Sequence, residues 1–123
     1  METATRKPLG VIETERMRAA VKAIERDVRF WNQNVYAGQH PCGTTHCLAG
    51  HVCALDGHDV VLMLRRPRVA GTPNPVFRKA RELLGLTEAQ AQQLFLFTEV
   101  RGRHPTVAEL KQRITKVTGV EFE

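Results

Sequence analysis

From residue 74 onward the chain is cut into short helices by start and stop signals that leave little choice in where each helix lies. Asn74-Pro75 opens one, with Asn as N-cap and Pro at the first helical position. Phe77, Ala80, Leu83 and Leu84 give it a buried face, and Gly85 ends it. Thr87 starts the next, with Gln90 at the third helical position completing a capping box and Ala91, Leu94 and Phe95 facing inward. Pro105-Thr106 starts again with Glu109 at the same offset, and Val107, Leu110, Ile114 and Val117 line that helix as far as Gly119. Such closely spaced restarts predict a bundle of short helices.

Upstream, Met17, Val21, Ile24, Val28 and Trp31 recur at three-and-four spacing, which predicts a helix from Ile12 to about Trp31. Asn32-Gln33-Asn34, Gly38 and Pro41 break it. A second helix is expected to start at Thr44 or Thr45 and to run to Gly57 as its C′ residue. Leu48, Val52 and Leu55 form its core face, with Cys47, His51 and Ala54 on the flank and His46, Gly50 and Cys53 pointing away. Ala49 and Gly50 admit close approach of another backbone. Asp59 to Arg66 is apolar and β-branched and reads as a short strand, with Val69 returning as its hairpin partner. The expectation is therefore a mainly α fold, an irregular bundle of about five helices with one short β-hairpin near 59–70. Residues 1–10 form a flexible tail and 11–123 a single helical domain.

With 42% hydrophobic and 25% charged residues over 123 positions, the chain has the material for one packed core and is not a disordered segment. No apolar run approaches the roughly 20 residues that span a bilayer. The N-terminus has no apolar segment behind its basic residues, so a cytoplasmic location is expected. Three cysteines, an odd number, point to thiols or metal ligands more than to a secreted disulfide framework. The net charge of +5 is concentrated in Arg65, Arg66, Arg68, Arg78, Lys79 and Arg81, opposed in residues 59–85 only by Asp59 and Glu82. Such a stretch attracts acidic partners, protein or nucleic acid.

The residues with most chemistry lie between His40 and His58, where four of the five histidines and all three cysteines fall. One reading is structural zinc, which wants four closely spaced nitrogen or sulfur ligands. Cys47 and His51, four apart, make one pair. Cys42 folds back from the preceding turn, and His40 or His58 supplies the fourth ligand. The alternative is packing, with small buried cysteines and surface histidines. A second reading makes Cys47 a thiol nucleophile in the first turn of a helix, with His51 or His46 as base. The run from Gln39 to Ala49 resembles the nucleophile region of papain-like proteases. It departs from them by inserting residues between the cysteines and by lacking their aromatic residue, and the chain has no room for their β-rich half. A third reading takes Ala80–Leu94 as a helix-turn-helix, with Gln90, Gln92 and Gln93 meeting adenine edges. Arg81 stands where that motif wants a small buried residue, and the second helix carries no Lys or Arg.

The core Cys42-Gly43-Thr44-x-x-Cys47-x-Ala49-Gly50 resembles that of a group of small proteins from actinobacteria and their phages. Those often carry a later Ala-x-x-Leu-Leu-Gly-Leu-x-x-x-x-Ala-x-x-Leu-Phe segment, matched by Ala80 to Phe95, and an upstream aromatic–Gln stretch, matched by Trp31-Asn32-Gln33. The likeness covers about residues 28–97 and brings no established activity with it. The expected function is a non-enzymatic accessory or regulatory protein, phage-encoded as the likeness implies, that binds a macromolecule. A protein partner is favoured over nucleic acid, and Trp31, Tyr36, Arg65, Arg66 and Arg68 are the expected contacts. The alternatives are a zinc-stabilised nucleic-acid-binding module and a thiol-dependent enzyme.

Overall fold

The computed structural model describes residues 9–34, 38–40, 43–65 and 74–122, the backbone alone at 38–40 and 43–45. Six α-helices make up most of it: α1 (Val11–Arg26), α2 (Leu48–Leu55), α3 (Val60–Arg65), α4 (Pro75–Leu84), α5 (Glu88–Phe95) and α6 (Val107–Thr118). A 3-10 turn, Val28–Phe30, follows α1, and two short strands, β1 (Gly38–His40) and β2 (Gly43–Thr45), pair antiparallel with His40 opposite Gly43. The molecule is mainly α, an irregular helical bundle, and among the described residues no helix is long and apolar enough to cross a membrane.

The caps act as their residue types require. Asn74 accepts from Val76 N–H at 2.8 Å, and Thr87 with Gln90 and Thr106 with Glu109 form complete capping boxes. Gly85, left-handed at φ 63°, closes α4 with Gly85 N–H on Glu82 O and Leu86 N–H on Arg81 O. Gly57, at φ 91°, is the C′ residue of α2, where His58 N–H reaches Cys53 O and Gly57 N–H reaches Ala54 O.

Several local expectations are corrected. The first helix ends at Arg26, because Asp27 turns to an extended conformation and caps the 3-10 turn through Arg29 N–H at 3.1 Å. Val28 is consequently exposed. The second helix starts at Leu48 with Cys47 as its N-cap, while Thr44 and Thr45 belong to β2. The stretch expected as a strand is α3: Asp59 Oδ1 accepts from Leu62 N–H at 3.0 Å, and Val60 and Met63 bury one helical face. A capping carboxylate and an i, i+3 apolar pair outweigh β-branching in so short a segment. The described antiparallel strand pair is instead 38–40 with 43–45; Val69, the expected hairpin partner, lies outside the described residues. Of the expected tail, residues 1–8 lie outside them too, while Leu9 packs on the core and Gly10 is the N-cap of α1.

Helix α2 is the centre of the bundle. Leu48, Ala49, Gly50, His51, Val52 and Cys53 are all buried, with α1 and α4 on two sides and α3 and α5 touching as well. Cys53, expected to point away, is fully buried, and Leu55, expected in the core, is 56% exposed at the helix end. A helix enclosed on every side needs small residues, which Ala49, Gly50 and Cys53 supply.

Candidate functional site

The Cys/His segment enters the bundle through a short parallel bridge between Trp31 and His46. His46 N–H donates to Phe30 O at 2.9 Å and Asn32 N–H to His46 O at 3.0 Å, so the chain before α2 is tied to the chain after α1. Beneath this bridge lies a buried polar node. Gln33 is 2% exposed, and its Oε1 accepts from both Trp31 Nε1–H and Leu48 N–H, each at 2.9 Å. Its Nε2 donates to Leu94 O at 2.9 Å. Its backbone N–H donates to Nε2 of His104 at 2.8 Å, while Nδ1 of that ring lies 2.8 Å from Pro105 O. Both contacts fix one tautomer: Nε2 accepts, so Nδ1 carries the hydrogen. His104 also meets Trp31 edge to face, with ring centroids 4.6 Å apart.

This node was not legible as a site. Its signal is the spacing of Trp31 and Gln33, whose side chains fall on one side of an extended segment and reach the same interior. What Gln33 contacts, from Leu48 to His104, is decided by the bundle and not by neighbours in sequence.

Cys47 does sit at a helix N-terminus, where Sγ accepts from Gly50 N–H at 3.4 Å. It is nevertheless buried, and burial pushes its thiol up to about 11 against the pull of those N–H groups. At neutral pH the thiol is therefore held protonated. Cys53, which points its thiol at Val76 O, is pushed up to about 12 by burial and by Cys47. The His51 ring is turned to the backbone, with Nδ1 3.0 Å from Cys47 O, and meets the His46 ring edge to face at 5.5 Å. Burial lowers the pKa of both rings, and for His46 the neighbouring His51 adds to it.

The expected ligands are therefore only partly brought together. Cys47 and His51 share the first turns of α2, but His58 lies beyond its other end, about 12 Å away along an eight-residue helix, and pairs with Asp56 at 3.2 Å. Among the described residues no three potential ligands converge. Cys42 and the His40 side chain lie outside them.

Of the expected contact residues, Trp31 is buried at 8% exposure and anchors the node, so it offers no surface to a partner. Tyr36, Arg66 and Arg68 lie outside the described residues. Arg65 is exposed near the end of α3, beside Val61 and Leu62, which also face outward. Gln90, expected to reach adenine, is buried and donates to Val117 O at 3.2 Å, and Gln92 donates to Glu88. No known protein family, characterised protein or solved structure matches the chain.

Proposed function

We propose that this chain is a non-enzymatic accessory or regulatory protein, phage-encoded as its resemblance implies, that works in the host cytoplasm by docking a protein partner on the corner between α2 and α3. The observation that carries this reading is exposed apolar side chains at the end of α2 and on α3: Leu55 and Leu62 are 56% and 52% exposed, and Val61 is 37% exposed. On α3, Val60 and Met63 face the core, so Val61, Leu62 and Arg65 share the outer face. Arg66 and Arg68 follow in sequence. A partner that buries aliphatic anchors and offers carboxylates to the arginines fits this surface. A six-residue helix with an apolar outer face is poorly made for a DNA groove, which supports protein over nucleic acid.

Affinity capture from host extract, then titration with the captured protein, is expected to give saturable one-to-one binding with weak salt dependence. Leu55→Asp with Leu62→Asp is expected to weaken it about tenfold or more. Tight binding of random duplex at physiological salt, with a steep salt slope that flattens in the Arg65→Gln, Arg66→Gln, Arg68→Gln variant, would replace this reading with nucleic-acid binding.

A further inference from the structure

A second feature, on elements the proposed docking corner does not use, is the cleft where the C-terminal segment lies between α1 and α6. After Gly119 the chain leaves α6 and is held down by Val120, whose side chain is buried and whose carbonyl accepts from Thr115 Oγ1 at 2.6 Å. Arg18 on α1 then clamps the next carbonyl, donating from Nε and Nη2 to Glu121 O at 3.3 and 3.1 Å. These bonds place the Phe122 ring as a wall between two adjoining clefts of about 390 and 430 Å³. The first is lined by Arg18, Lys22 and Lys111, with Glu25 and Glu121 opposing them, and the second adds Lys116.

The charges are not equivalent. Glu25 is bound to Lys111, whose ammonium also lies 5.8 Å from the centre of the Phe122 ring. Arg18 spends its guanidinium on a neutral carbonyl and keeps its full charge. Lys22, one turn along α1, has no ion pair among the described residues. With Glu25 taken up by Lys111, the lining sets two cations on one face of α1, Arg18 and Lys22, against the single carboxylate of Glu121, beside an aromatic wall and in a volume that suits a small organic ligand. Cations on a concave surface select a compact anion, and an aromatic ring beside them selects a planar group attached to it.

We propose that this cleft binds an organic phosphate carrying a planar ring, its phosphate held by Arg18 and Lys22 and its ring against Phe122. Glu25 sets the affinity by occupying Lys111; an arriving phosphate competes with that carboxylate for the ammonium. Opposite effects of neutralising two neighbouring side chains on α1 follow, which a merely structural role would not give.

The test is titration of the ¹⁵N-labelled full chain with adenosine diphosphate, inorganic pyrophosphate and adenosine at low ionic strength. Adenosine diphosphate is expected to shift the Lys22, Lys111 and Phe122 amides saturably, and more tightly than pyrophosphate. Lys22→Gln, at an exposed site, should weaken it about tenfold, the loss of one charge-assisted contact. Glu25→Gln should tighten it, and Phe122→Ala should reduce adenosine diphosphate to the affinity of pyrophosphate. Absence of saturable shifts at millimolar ligand, equal affinity in the Lys22→Gln variant, or adenosine binding as tightly as the diphosphate would each overturn the proposal.

Discussion

Gln33 spends every polar group with a described contact on a different part of the molecule: the indole of Trp31, the first N–H of α2, the last turn of α5 and the ring of His104. Replacing it by Leu keeps approximate volume but strands Trp31 Nε1–H, Leu48 N–H and Leu94 O in the interior. Each stranded group costs about 1–3 kcal/mol, so Gln33→Leu is expected to lose at least about 3 kcal/mol in denaturant unfolding. A loss under about 1 kcal/mol would mean that water or a shifted backbone takes over these bonds. A second residue-scale effect follows from His46 and His51, whose native pKa values lie below the usual 6.5. Above pH 6.5 both rings are neutral in the folded and unfolded chain, and stability does not depend on them. As pH falls below 6.5 the unfolded chain takes up protons that the native rings refuse, so stability drops until the native rings also protonate. Glu109 acts in a separate, lower window: Arg103 and the Thr106 cap hold its carboxyl down to about 2, so its contribution is lost only as pH falls from 4.5 toward 2. Melting temperatures between pH 7 and 5 should fall less in His46→Gln, His51→Gln than in the parent. Parallel curves would show that the two rings titrate alike in both states.

At the scale of elements, α2 decides how tightly the bundle closes. Gly50 is buried in it, so Gly50→Leu forces a side chain into packed space and is expected to cost on the order of 1–3 kcal/mol, read from thermal unfolding. An unchanged melting temperature would mean that the space around α2 can expand at no cost. The elements also show which signals carry through from sequence to structure. Asn74, Thr87 and Thr106 each bond a backbone N–H within three residues, so their caps depend on nothing distant and are visible in the sequence. The apolar run of α3 has no such independence. Val60 to Leu64 suits a strand or a helix equally, and Asp59 with the burial of Val60 and Met63 settles it. For α2, a face assigned from period alone misplaced Cys53 and Leu55, because a helix surrounded by neighbours has no solvent side along most of its length.

Over the whole molecule, what was legible was the helical class and the importance of the Cys/His segment, and what was not was its wiring. Clustering of Cys47 and His51 suggested chemistry between them. The bundle turns the thiol to Gly50 N–H and the imidazole to Cys47 O, and burial holds both uncharged near neutral pH. The residue that does join the segments, Gln33, has no charge or cysteine to draw notice. Its bonds run to residues 61 and 71 positions away as well as to nearby Trp31. Local caps and helices form in microseconds, whereas contacts across such separations must wait for chain closure. The node is accordingly expected to close late, on the native side of the folding barrier. On that expectation its strength sets how long the native molecule survives before it opens, more than how fast it is made. Loss of Gln33 is expected to appear as faster unfolding with nearly unchanged refolding, so the node works as a latch on a bundle that folds without it.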